Sequence, residues 1–520
     1  MKNKKMAPLF LAPVTLLLLT GCPWMQPNNP DKPDNPDTPD VPDTPVVVDE
    51  DPVIVDSEEY KTFWNPNTQL SISIEMSQEA ANFIDTYQSD HNNSTYFDYY
   101  VPCNVTIEMN SQTYIFEEVG IRQKGNMSRT SMLYEDNFSI YRLAHYKLSF
   151  KETFDDEEYT TISQLQPFAK TWEDSSARKA RKNRTLFDME KIDIKWNRND
   201  DESKSKQSFA LSQFRSHGVL AGHDTLAETT IGITGKDPIY TTYEVFECID
   251  SVFVKRHFSE ELADGDLYKC CYTDRGPANM SSSYKIGDEI GVEKNKTGYH
   301  PVYDLKTNKK KNTTHTNLYN LFNVVNDKTS TAAEFKTKLE AVLDVKSFLM
   351  YESIAFLLGN FDDMRNNANN YYLYFTSGEK PMAFVIPYDF DRCLGAGCEG
   401  KQDYMTNFSA ESTKMQCNGN WQTMNIYWRT ICASTDSNSG HKNVERVEAY
   451  RALYQKNIED LLNNRDFSAT SFTSYVNSFP ETYRGDANGD GSGNISFAEY
   501  LSRKISKIKE CNPSYDIKVS

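Results

Sequence analysis

The stretch that most limits what this chain can fold into runs through residues 359–395, GNFDDMRNNANNYYLYFTSGEKPMAFVIPYDFDRCLG. Two adjacent acids, Asp362 and Asp363, sit in an Asn-rich loop behind an apolar helical run. Two strand-like runs follow, 371–375 and 382–387, turned back at Thr376, Ser377 and Gly378. The second strand ends on two further acids, Asp389 and Asp391. Such a hairpin can bring the acids before it and after it to one end of a sheet. Oxygen ligands gathered there suit Mg²⁺-phosphate chemistry, because a hard cation takes oxygen ligands and phosphoryl transfer needs its charge neutralised. Taken alone, the same residues also describe a surface hairpin with solvated acids.

The start of the chain reads differently from the rest. Lys2, Lys4 and Lys5 precede an apolar run at 9–19, and Leu19-Thr20-Gly21-Cys22 follows. That pattern is an export signal, and the Cys after Leu-Thr-Gly resembles the lipobox of bacterial lipoproteins. The resemblance implies cleavage before Cys22, lipidation of Cys22 and a membrane anchor at the outer membrane or cell surface. The apolar run is too short to span a bilayer as a helix. Residues 22–58 then form a Pro/Asp-rich linker, extended and self-repelling. From residue 27 it holds ten acids against Lys32, a net −9 and half of the chain's −18. The remainder is only mildly acidic, and no basic face argues for nucleic acid. Nine cysteines remain after Cys22; Cys393/Cys398 and Cys417/Cys432 are the nearest disulfide pairs by spacing, and no set has zinc-ligand spacing with histidine.

Residues 70–76, 100–109 and 112–122 alternate as strands around a helix at 77–89. The third strand runs into Arg122-Gln123-Lys124-Gly125-Asn126-Met127-Ser128-Arg129, a turn that could cradle phosphate through backbone N–H groups and cationic side chains. A strand at 145–151, a polar loop at 152–185, a short strand at 191–199 and a helix at 203–218 follow. A hairpin at 226–234 and 238–246 leads to Glu247. Helices are expected at 331–343, 345–358, 444–464, 468–479 and 497–508. The fold class is therefore α+β, with a β-rich first half and a mostly helical second half, which fits a two-lobed enzyme with a cleft.

With RQKGNMSR, YKLSF, YTTYEVFECIDSVFV, LYK at 267–269 and NFDD…NNYYLY…PYDFD in this order, the chain resembles the CotH family, the spore-coat protein H group of atypical, protein-kinase-like enzymes. The resemblance spans roughly residues 122–391 and implies ATP- and Mg²⁺-dependent phosphorylation of Ser or Thr in exported proteins. It implies a kinase-like domain over 59–466. Arg122, Lys124, Asn126 and Ser128 would lie over the nucleotide phosphates, and Lys269 would line the pocket. Lys147, chosen over Lys151, would hold the phosphates with Glu247 as its ion-pair partner. Asp362 would face the incoming hydroxyl. Asn369 or Asn370 would bind Mg²⁺ with Asp389, and Asp391 would be a second carboxylate. Gln123 and Lys124 interrupt the family's Arg-Gly-Asn turn, and Tyr388 stands for its usual Trp. The rival reading is a kinase-like surface scaffold without turnover.

A separate motif lies in the C-terminal segment, 467–520. Counted from Asn488, oxygen ligands fall at Asn488, Asp490, Ser492, Ser496 and Glu499, with the Asn494 carbonyl at position 7 and Gly493 at the sharp turn. This is the spacing of an EF-hand Ca²⁺ loop, followed as required by an amphipathic helix.

Overall fold

Period-two alternation builds the first half. The computed structural model describes residues 51–90, 99–125, 128–134, 137–294, 298–397, 410, 424–432, 444–491 and 493–519. Helix α1 (Glu58–Trp64) precedes β1 (Leu70–Met76), α2 (Gln78–Gln88), β2 (Val101–Met109), β3 (Gln112–Gln123) and β4 (Tyr146–Ser149). Then come α3 (Glu157–Thr161), α4 (Ser175–Lys182), β5 (Lys191–Trp196), α5 (Lys206–Ser216), β6 (Asp224–Ile233) and β7 (Ile239–Glu247). The seven strands close into a barrel in the order β1-β2-β3-β4-β5-β7-β6. In β1, Leu70, Ile72, Ile74 and Met76 are buried while Ser73 and Glu75 face water, the one-sided pattern of a sheet wrapped on its own core. A parallel pairing of β1 with β6, Ser71 opposite Glu228, completes the barrel.

Within 152–185 the structure holds two short helices instead of an unbroken loop. Helix α4 buries none of its residues; it is fixed by Asp174 as its N-cap and by charges, Arg178 on Asp155 and Arg181 on Glu118 at 2.7 Å. Without an apolar stripe it has no periodic signal.

The second half carries more sheet than its sequence promises. After α6 (Ser251–His257) come β8 (Asp266–Cys270), β9 (Ile290–Gly291) and β10 (Tyr303–Leu305), then α7 (Thr316–Val325), α8 (Ala332–Glu340), α9 (Val345–Leu358) and α10 (Met364–Asn367). The hairpin forms as β11 (Tyr371–Phe375) and β12 (Ala383–Pro387), and the sheet runs β12-β11-β8-β10-β9. Strands of two and three residues are too short to show a period, which is why β9 and β10 were not expected. Helices α11 (Asn425–Thr430), α12 (Glu448–Asn463), α13 (Ala469–Ser478) and α14 (Phe497–Cys511) complete the chain. Helix α9 is buried on nearly every side, in contact with α12 and β12. One apolar cluster fills the barrel; a second joins the five-stranded sheet, α9 and the C-terminal helices. The described residues form a single compact unit. The Tyr483 hydroxyl accepts from Leu70 N at 3.3 Å and donates to Thr68 O at 2.9 Å, tying the C-terminal segment to the first barrel strand.

Cys22, the linker up to residue 50, Cys398 and Cys417 lie outside the described residues. Cys393 is a buried free thiol, and Cys432 is buried. No helix among the described residues is long and apolar enough to cross a membrane.

Candidate active site

Three barrel strands deliver the cations. Arg122 on β3 lies opposite Lys147 on β4, and Lys147 lies opposite Asp193 on β5. Strand β5 reads KIDIKW, so Ile192 and Ile194 enter the barrel core while Asp193 and Lys195 share the other face. Asp193 bridges Lys147 at 2.8 Å and Lys124 at 2.9 Å. Burial alone would raise its carboxyl, but the two ammonium groups outweigh that and hold it far below the usual carboxylate range. Lys195 forms an ion pair with Asp389, reaches Asp391 at 3.5 Å and lies 3.4 Å from Gln207 Oε1. Burial opposes ionisation of Asp389 as well, and Lys195 and Lys124 together depress it nonetheless. Asp391 is pushed up, first by burial and then by Asp389.

Helix α9 ends at Gly359 in the left-handed conformation, and the loop that follows fixes Asp362. Asn367 and Asn369 donate their amides to Asp362 Oδ1 at 2.7 and 3.0 Å, and Asn370 donates to Oδ2 at 3.1 Å. Burial raises the Asp362 carboxyl, with Asp389 adding to the shift and the amides opposing it. Asn360 accepts from Asp362 N and donates to Asp389 O at 3.1 Å, joining the acids on either side of the hairpin. Asp389 itself has φ +60°, a strained value for a residue with a Cβ.

Lys124, Lys195, Asp193, Tyr388 and Asp389 border one cleft, whose apolar wall is Leu211, Phe246, Ile249 and Pro387. The Tyr388 ring lies between two cations, Lys124 Nζ at 5.5 Å and Lys269 Nζ at 5.1 Å from its centroid. An apolar slot with four neighbouring lysines and two flanking acids can hold a polyanion carrying a flat apolar group. Arg122 reaches over Tyr100 and its own strand's end. The turn at Gly125 (φ +94°) stands so close to Ser128 that a Cβ there would lie 1.9 Å from its Oγ; Asn126 lies outside the described residues.

One expected pairing is not made. Glu247 does not pair with Lys147: it accepts from the Tyr60 hydroxyl at 2.8 Å and His223 N at 3.1 Å, and faces Arg256 at 3.6 Å. The reason is strand parity, since Glu247 lies opposite Ile192 and Lys147 opposite Asp193, one residue and therefore one face apart. Asn369 and Asn370 donate their amides to Asp362, and the Asn369 oxygen accepts from Tyr272 N at 2.7 Å, so both orient that acid. Asp363, which has no role in the sequence reading, is fully buried and caps α10. Lys151 pairs with Glu190, away from the cleft. The residues missed were Asp193 and Lys195; their signal was the alternation of KIDIKW, which places two charges on one face between core isoleucines.

The model of the family described as CotH kinase protein matches residues 121–510, well over half of the chain. The chain belongs to the CotH kinase family. No curated protein matches it. Among solved structures, the Helicobacter pylori proinflammatory kinase CtkA is similar at 12% identity over 62% of this chain and 87% of that one, with a TM-score of 0.27, too low to bear on the site. The CotH match takes in the basic turn, Lys147, Asp193, Lys195 and every acid of the hairpin, and omits α1, β1 and β2.

Among the described residues no three His, Cys, Asp or Glu side chains gather as a metal cage. A nucleotide-bound Mg²⁺ does not need one, taking one or two carboxylates and completing its shell with phosphate and water. Asp389 and Asp391, side by side on Lys195, fit that demand.

The CotH match also covers 488–499. Gly493 adopts φ +74° as position 6 requires, and α14 starts at Phe497 with Ser496 as its N-cap. Asn494 donates to Asn199 O and Asp200 O and accepts from Gly397 N, all within 2.9 Å. The Ile495 carbonyl accepts from Lys206 Nζ at 2.8 Å. Glu499 turns outward to Arg503. Ser492 lies outside the described residues, Asn488 N donates to Asp486 Oδ1 at 2.9 Å, and among the described residues no three acids gather at this loop. The loop thus braces the β5–α5 connection and the turn after β12.

Proposed function

We propose that this CotH-family protein is an exported, lipid-anchored kinase that transfers the γ-phosphoryl group of ATP to a Ser or Thr hydroxyl of exported proteins. The reading is carried by one observation: Lys195 holds Asp389 and Asp391 at the mouth of a lysine-rich cleft, with an amide-clamped Asp362 beside them. Lys124, Lys147 and Lys269 would lie against the phosphate oxygens and neutralise the charge that spreads over them during transfer. Asp389 and Asp391 would hold Mg²⁺, which supplies further charge neutralisation when bound. Asp362, raised by burial and locked by three amides, would accept the proton of the incoming hydroxyl. Leu211, Phe246 and Ile249 offer an apolar surface for the adenine.

Calorimetry of the full chain with ATP, with and without Mg²⁺, tests the reading. Binding that needs Mg²⁺ is expected, and Asp362→Asn should lower kcat by roughly 10²–10⁴ while leaving that binding in place. Absence of nucleotide binding would leave the scaffold alternative. Calcium on 488–499 belongs to the same reading through its ligand spacing; a melting point raised by Ca²⁺ and unmoved in Glu499→Gln is the expected result, and no Ca²⁺ effect on the wild type would remove it.

A further inference from the structure

Lys195 separates two cavities. The cleft described above lies on its Asp389 side. On its Asp391 side is a second hollow, walled by Trp196, Arg198, Lys204, Lys206 and Glu244. Its charges are unevenly matched. Lys204 donates only to neutral oxygens, Thr242 Oγ1 at 3.3 Å and Tyr483 O at 3.2 Å, and Lys206 only to the Ile495 carbonyl. Arg198 is exposed and has no ion pair or side-chain hydrogen bond among the described residues. Of the acids here, Asp391 is engaged by Lys195, and Asp201 is consumed by Ser203 and the backbone N–H groups of Ser205 and Lys206. Glu244 lies opposite Lys195 on the same sheet face, and its buried Oε1 has no hydrogen-bond partner among the described residues. Burial, reinforced by Asp224, pushes the Glu244 carboxyl far above the usual range, which favours its neutral form. The wall therefore gathers a guanidinium, two ammonium groups and the Glu244 carboxyl. Cationic donors that meet only neutral oxygens suit an anion.

We propose that this second cavity receives an anionic side chain of the protein acceptor, a carboxylate or a phosphate already installed near the hydroxyl to be modified. The proposal rests on the kinase reading for the reaction, and on the cavity alone for the anion. Its place fits: Asp391 lines this cavity, and Lys195 lies between it and the nucleotide cleft.

The test uses the full chain and three fluorescent peptides sharing one Ser-centred core, flanked by Asp, by phosphoserine or by Arg. Binding is read by anisotropy, phosphorylation by kcat and KM, and nucleotide affinity by calorimetry. The acidic or phosphorylated peptide is expected to bind at least tenfold more tightly than the basic one, with the gain in KM. Arg198→Glu and Arg198→Glu/Lys204→Glu should abolish that preference with nucleotide affinity and melting point unchanged. The ratio of Asp to phosphoserine peptide identifies the source of the anion. Equal binding of all three peptides, a preference for the basic one, or a loss of nucleotide affinity in the variants would overturn the proposal. If ATP fails to bind the wild type, the kinase reading falls, and the anisotropy still decides the anion pocket.

Discussion

Asp193 shows how a single side chain governs the cleft. It is 3% exposed and holds two ammonium groups apart. Asp193→Asn leaves Lys124 and Lys147 facing each other with little compensation, and removing one partner of a buried ion set costs about 3–5 kcal/mol. Urea unfolding should show a loss of that order, and Mg²⁺-nucleotide should restore more stability to the variant than to the wild type, because phosphate would replace the lost charge. A variant as stable as the wild type would mean that the two lysines find other partners. Lys195→Met should weaken nucleotide binding by at least tenfold in calorimetry, since Asp389 then faces the phosphates unpaired. At this scale the sequence was readable where a motif marked the residue: Asp362, Asp389, Lys124 and Lys269 all border or adjoin the cleft. It was unreadable where three-dimensional parity decided. Nothing in the spacing of Lys147 and Glu247 reveals that they lie on opposite faces, and β5 bears no motif.

At the scale of elements, α9 and α10 carry a buried acidic pair with a pH signature. Burial pushes Glu352 up to about 8 and Asp363 up to about 7, with Arg365 opposing both. Their unfolded values lie near 4. A raised folded value means that the native state binds the proton more tightly, so this contribution is complete below about pH 4 and lost as pH rises through 7–8. Asp193 and Asp389, depressed in the fold, act the other way and lose their contribution in acid. Stability should therefore fall on both sides of a mildly acidic optimum. Glu352→Gln keeps an acceptor for the Tyr427 hydroxyl, 2.9 Å away, and should flatten the alkaline side; a melting-point series from pH 5 to 8.5 checks it. The long alternating and amphipathic elements were legible from the sequence. Helix α4, fixed by charges, and the short strands β9 and β10 were not, because they carry no hydrophobic period.

At the scale of the molecule, the region ahead of the CotH match is wired into the cleft wall. Asp56 pairs with Arg256 at 2.5 Å, Tyr60 lies under the Arg256 guanidinium at 3.7 Å, and its hydroxyl donates to Glu247. Tyr60→Phe leaves Glu247 short of one buried partner, a loss of about 1–3 kcal/mol, to be read as a shift in the urea midpoint without a change in slope. An unchanged midpoint would mean that Arg256 and His223 N satisfy Glu247 unaided.

The parallel seam between β1 and β6 bears on how this protein is made. Ser71 cannot meet Glu228 until the intervening chain exists, and Tyr483 caps the first strand only once nearly all of the polypeptide has been synthesised. Contacts so distant in sequence slow folding and prolong the exposure of unpaired strand edges. A chain begun at residue 121, where the family match begins, would lack β1 and β2 and leave β6 and the remnant of β3 as open, apolar edges. Such a fragment should aggregate where the longer chain stays monodisperse.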